Sequence, residues 1–366
     1  MKKHAANLSP RAGGASLDVL RFLAAAFILL FHFGVRAPTP LADMYPVFSQ
    51  GWLATDFFLL LSGFILSRAY GKRLFDGRIS RVNFVIKRVA RFWPSHAIML
   101  FAMLGLVVAA TAIGIPPDHS EADLFIYQLF LVYAWGVTST EAWNVPTWTL
   151  SVLVVCYALF SLYAAKVYKC RWWQWALMLI AVLVVGNTLA LMWAGSSLVD
   201  LSFRWGLLRG IPIFIIGSLL ERLSAGFTIN RRSYAGLIMV IIALVVILSG
   251  YPREIWLDNV ILGLLGISIV LSAGVTFHEN ALTRRMGRMS LSLFLTHSFV
   301  GMAGFGVAEV ISGRFSLSEP MQWLLWWGVF VGAIIFAALF DALIDKPLSE
   351  RIARLPFVAG KNHLQR

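Results

Sequence analysis

The sequence predicts an all-α, polytopic integral membrane protein of about ten transmembrane helices. Three observations lead there. The 366 residues are 59% hydrophobic and only 13% charged, against about 25% charged in a soluble domain, and the mean hydropathy is +0.77. Apolar runs near 20 residues, the length that crosses a bilayer, recur along the whole chain. The lysines and arginines between those runs sort onto alternate sides, as the positive-inside rule requires.

The runs fall at 17–35, 52–70, 91–114, 147–166, 173–193, 204–221, 233–250, 256–276, 290–311 and 322–344. One set of loops collects Lys72, Arg73, Arg78, Arg81, Lys87 and Arg88, then Lys166, Lys169 and Arg171, then Arg231 and Arg232, then Arg284, Arg285 and Arg288. The other set holds Arg36, Arg204, Arg209, Arg253 and Arg314. This asymmetry predicts cytoplasmic termini in a cell (inner or plasma) membrane. It also accounts for the net charge of +13 as topology, so no nucleic-acid partner is expected. Residues 122–137, ADLFIYQLFLVYAWGV, are apolar but short. Counting them as a span would put every later basic loop outside, so they read as a re-entrant or interfacial segment in an external loop. The domain reading is a tail at 1–14, one transmembrane domain at 15–346 and a second tail at 347–366. The basic start MKKHAANLSPRAGG precedes a full-length span, so it reads as a retained anchor.

The first span, LDVLRFLAAAFILLFHF, holds Arg21 and His32. Eleven residues make about three helical turns, so both face one side, roughly 16 Å apart along the axis. Ionisable groups inside a bilayer are costly and face a protein interior or a wet cavity. The bland alternative is a snorkelling arginine and a hydrogen-bonded core histidine. Asp56 in the second span reads either as functional or as hydrated near the outer surface. Ser62 and Gly63 form a small pair that permits close helix contact. Arg88 and Arg91, three apart at the start of a helix, would share a face suited to phosphate oxygens. Pro94 kinks or starts the third span. Arg209 reads as buried or as an interfacial anchor, with Pro212 and Gly217 adjusting the backbone after it. His297 lies mid-span. Asp341 and Asp345 lie nearer a helix end and read as hydrated. Trp52, Trp143, Trp148, Trp323, Trp326 and Trp327 read as the interfacial belt. Cys156 and Cys170 form no disulfide framework, and no Cys/His metal spacing appears. Walker, G-x-S-x-G and zincin motifs are absent.

Taken together, these stretches resemble the membrane acyltransferase 3 family, whose members O-acylate polysaccharides and other envelope molecules. LDVLRFLAAAFILLFH resembles the family's opening, with Asp18, Arg21 and His32. GWLATDFFLLLSGFIL resembles its second-span motif, with Asp56, Phe58, Ser62 and Gly63. KRVARFWP carries an R-x-x-R pair, Arg88 and Arg91. NVPTWTLSVLVVCY, with Ser151, is similar to the entry of a middle span, LLRGIPIFIIGSLL to an R-x-x-P-x-F-x-x-G segment beginning at Arg209, SLSLFLTH to a late-span histidine, His297, and IDKPLSERI to a closing turn. The family often carries a glutamate where this chain has Leu153, so a carboxylate role at that position is not expected here.

The resemblance implies acyl transfer from cytoplasmic acyl-CoA, most commonly acetyl-CoA, as co-substrate, with no bound cofactor or metal. The acceptor it implies is a hydroxyl of an envelope carbohydrate or lipid-linked glycan, with separate envelope-polysaccharide machinery as a partner. His32, Asp56 and His297 then take catalytic places, with Asp56 fixing the His32 tautomer if the helices pack so. Arg21, Arg88 and Arg91 take the donor, and Asp18, Ser62, Ser151 and Arg209 complete the motif residues. Two other classes stay open: a transporter or flippase for a lipid-linked sugar, and a non-catalytic assembly protein.

Overall fold

The computed structural model describes residues 14–118, 120–355 and 358, so the tail expected at residues 1–13 lies outside the described residues, as does most of the chain after 355. Among the described residues there are fourteen α-helices: α1 (Gly14–Gly34), α2 (Leu41–Met44), α3 (Trp52–Phe75), α4 (Arg81–Val89), α5 (Trp93–Ala112), α6 (Phe125–Leu129), α7 (Trp148–Lys169), α8 (Trp172–Ala194), α9 (Gly206–Leu223), α10 (Arg231–Leu248), α11 (Ile255–Gly274), α12 (Ala281–Arg314), α13 (Glu319–Phe340) and α14 (Lys346–Ala353). Ten candidate membrane spans result, at the ten places that hydropathy marks. The helices alternate in direction. One end of the bundle carries the arginine-rich loops and is called the basic end below; the opposite end is the far end.

Inside a bilayer there is no hydrophobic drive between helices, so close approach falls to small residues. The tightest contact is between α3 and α9. A Cβ on Gly63 would stand 2.0 Å from the Phe214 carbonyl oxygen, and one on Gly217 would stand 2.0 Å from that of Leu60. The expected small pair is therefore real at Gly63, while Gly217 serves contact rather than backbone adjustment. Around this α3–α9 axis pack α1, α7 and α12, which form the buried core. The outer helices α8 and α10 are mostly apolar surface, with exposed side chains such as Val184, Val185, Met239 and Ile242.

Three local features bear on the expectation: the first and third differ from it, and the second agrees. The third span is two helices. Ser80 caps α4, its side chain accepting from the Asn83 amide, and α4 ends at Val89; Pro94 then sits in the first turn of α5, where its fixed φ suits a helix start. Arg88 therefore ends one helix and Arg91 lies in the turn after it. Second, residues 122–137 form a short 3-10 turn, α6 and further turns, without crossing the bundle. Third, the last span passes through a π-helical turn at Asp341–Asp345 before α14, a rare geometry often found at functional sites.

Candidate active site

His32 stands in the last turn of α1, at the far end. It lines a cavity of about 260 Å³ with Phe31, Thr55, Trp148, Ser202, Arg209 and Phe294 among its neighbours. The walls come from the end of α1, the starts of α3, α7 and α9, and the middle of α12. The imidazole is half-buried. Its ring centroid lies 5.2 Å from that of His297, with 33° between the planes. Two histidines from helices far apart in sequence, α1 and α12, thus meet at one site.

The two rings differ in their bonding. His297 is 1% exposed, and its Nδ1 lies 3.1 Å from the Leu293 carbonyl oxygen one turn back. A carbonyl can only accept, so in the neutral ring Nδ1 carries the proton and Nε2 keeps its lone pair. That Nε2 is buried without a hydrogen-bond partner. Holding the α12 backbone in place is Asn144, whose Nδ2 donates to the Leu295 carbonyl over 2.9 Å.

Arg209 and Asp56 correct the sequence expectation. Asp56 is fully buried, and its Oδ1 accepts from Arg209 Nε at 2.9 Å. Its Oδ2 has no partner, so the carboxylate holds Arg209 and does not fix the His32 tautomer. Arg209 is 5% exposed, not an interfacial anchor. Its Nη1 donates to the Leu201 carbonyl over 2.7 Å, and the guanidinium lies 5.5 Å from the Trp148 ring. Burial of a charge demands such pairing. The pair joins α3 to α9 where Gly63 and Gly217 let them touch.

At the basic end, eleven residues before His32 on the same helix, Arg21 lies 3.9 Å from Asp18. Asp18 packs where a Cβ on Gly287 would stand 2.3 Å from its carboxylate. Arg88 and Arg91 do not present one face. Arg88 Nη2 donates to the Tyr70 hydroxyl at 2.6 Å, with its guanidinium 4.7 Å from that ring. Arg91 forks onto both oxygens of Asp345, at 3.0 and 2.9 Å, and also reaches Ser349. Asp345 is fully buried and accepts from Ser95 too. Asp341, also buried, faces Arg288 at 3.6 Å. The hydrated reading of both aspartates is thus wrong: the π turn carries them into the protein, where arginines meet them.

The remaining candidates have structural places. Ser151, fully buried on α7, accepts from the Ala134 amide and its carbonyl from the Trp135 indole, so it moors the 122–137 segment. Ser62 is half-buried on α3, and Leu153 packs in the core. Trp326 is 3% exposed and its indole donates to the Phe33 carbonyl, so it ties α13 to α1 instead of sitting in a belt. Sequence reading missed a buried amide network: Gln128 donates to the Ala142 carbonyl, accepts from Thr147, and its own carbonyl meets His96 Nε2. A lone glutamine inside an apolar run was its one signal.

Among the described residues, ten candidate membrane spans surround a half-buried His32 set against a buried His297, with an arginine-rich opposite end. Residues 15–342 match the family described as an acyltransferase domain, and the chain belongs to the acyltransferase 3 family. It is also similar to "Protein 2 in picA locus" of Rhizobium radiobacter, at 32% identity over 121 residues, 32% of this chain and 58% of that protein. The aligned region thus spans little more than half of that relative. No solved structure matches.

Proposed function

We propose that this protein is a membrane O-acyltransferase. It takes an acyl group, acetyl in the first instance, from acyl-CoA at the basic, cytoplasmic end and transfers it to a hydroxyl of an envelope carbohydrate at the far end. The single observation that carries the reading is His32: an imidazole on a cavity wall at the far end, on the helix whose other end holds Arg21. Acyl-CoA is anionic and stays on the side of the arginines. In the direct route the acceptor oxygen attacks the thioester carbonyl carbon, the C–O bond forms, and His32 takes the hydroxyl proton. The C–S bond breaks, and the CoA thiolate leaves and is protonated. In the relay route the His32 nitrogen attacks first and the C–S bond breaks as CoA thiolate leaves, giving an acyl-imidazole; the acceptor hydroxyl then attacks its carbonyl, the C–N bond breaks, and the freed imidazole takes the hydroxyl proton. His297, with Nδ1 committed to a carbonyl, supports His32 from behind.

The lysine and arginine asymmetry supports cytoplasmic termini. Reporter fusions after Arg171 and after Arg366 should both report cytoplasm, and an external signal at either overturns the orientation. Mass spectrometry of envelope carbohydrates from cells with and without the gene tests the function itself. An acyl increment present only with the gene is expected; identical spectra would contradict the proposal.

A further inference from the structure

A second cavity lies beside the first. It measures about 470 Å³ and opens between α8, α9 and the 134–136 turn. Its walls are aromatic and aliphatic, including Trp135, Trp193, Trp205, Leu208 and Ile211, and its charged residue is Arg204. Arg204 is exposed and rests 5.8 Å from the Trp205 ring. Among the described residues, the ion pairs of the far end engage Arg36, Arg209 and Arg253 and none engages Arg204.

The placement is specific. Ser202 and Phe203 line the His32 cavity, while the next two residues, Arg204 and Trp205, line the second. One short strap, with its 3-10 turn at Phe203–Trp205, therefore separates the two. The α8 wall of the groove belongs to a helix that is mostly apolar surface, with Met192 and Trp193 exposed just above. The groove thus presents hydrocarbon-compatible walls toward the bilayer and a cation at its head. A volume of this size suits a drug-sized length of chain, and tryptophan rings favour the membrane interface.

We propose that this groove holds the phosphate and adjoining hydrocarbon of the lipid that carries the acceptor sugar. This deepens the function proposed above and rests on it for the sugar alone. Arginine's fork suits a phosphate, and the strap sets the sugar, one step beyond the phosphate, at the His32 cavity. The occupant is a phosphorylated lipid carrier, and bulk phospholipid is the competing outcome.

The test uses the full chain in phosphatidylcholine nanodiscs with a photoreactive isoprenyl monophosphate, and maps the labelled peptides. Labelling of the Leu189–Trp193 and Leu207–Pro212 stretches is expected. Excess isoprenyl phosphate should compete it away. Arg204→Gln, a surface change outside the His32 cavity, should weaken it about tenfold, the worth of one hydrogen bond to a charged group. Equal labelling by the uncharged isoprenol, equal competition by phosphatidylglycerol, or label scattered over other helices would each overturn the proposal. Binding needs no turnover, so failure here and failure of acyl transfer are separately visible.

Discussion

The two ends of the bundle both bury charge, and they treat it differently. At the basic end Arg91 spends its fork on Asp345 and a further bond on Ser349, while Ser95 takes up another lone pair of the same carboxylate. At the far end Arg209 and Asp56 meet through one hydrogen bond, and Asp56 Oδ2, Arg209 Nη2 and His297 Nε2 remain without partners. An unmet buried polar group costs about 1–3 kcal/mol. A fold keeps such a cost where function uses the group. The Arg91–Asp345 contact therefore reads chiefly as a clasp between α5 and the last span, and the unmet His297 Nε2 beside His32 suits the function proposed for that cavity. The clasp has slack nearby, because Arg88 Nε, Arg288 Nε and Asp341 Oδ1 lack hydrogen bonds.

That contrast can be broken by substitution. Arg209→Gln should cost most, about 4 kcal/mol, because it strands the fully buried Asp56 carboxylate. Thermal unfolding in detergent should show it, and Arg209→Gln with Asp56→Asn should recover much of the loss. A neutral result for the single variant would mean that the pair is not a structural tie. Arg91→Gln should follow at about 3 kcal/mol, since Arg91 is partly exposed while Asp345 is not. Unchanged stability together with weaker acyl-CoA binding would instead make Arg91 a free donor ligand, and the clasp reading would fall. Gly63→Ala should cost about 2 kcal/mol, because the added methyl meets the backbone carbonyl of Phe214, which cannot move aside. Wild-type melting of that variant would show that α3 and α9 separate easily.

The ten spans were legible because a bilayer admits only long apolar helices with their backbone bonds satisfied internally. The same periodicity correctly put Arg21 and His32 on one side of α1, and the short 122–137 run outside the spanning set. Pro94 marked the break before α5, but it did not show that Arg88 ends the preceding helix while Arg91 lies in the break itself. The pairings were illegible for a different reason. Arg209 with Asp56 spans 153 residues and Arg91 with Asp345 spans 254, and no local pattern encodes which helices become neighbours. Asp341 and Asp345 looked hydrated because they sit near a span end, and only the π turn and the arginines opposite explain their burial. His297 was visible as a residue, but its place beside His32 depends on α1 and α12 packing together.

The central claim is that His32 performs the transfer, and turnover tests it most directly. Wild-type, His32→Ala and His297→Ala proteins would be reconstituted in proteoliposomes with acetyl-CoA and envelope carbohydrate extract, following acceptor-dependent CoA release. Folded yield and acetyl-CoA binding would be measured on the same samples. The account predicts that His32→Ala folds and binds donor as wild type does, but loses about 10²–10⁴-fold in rate, with His297→Ala impaired to a lesser degree. Near-wild-type CoA release by folded His32→Ala would contradict it.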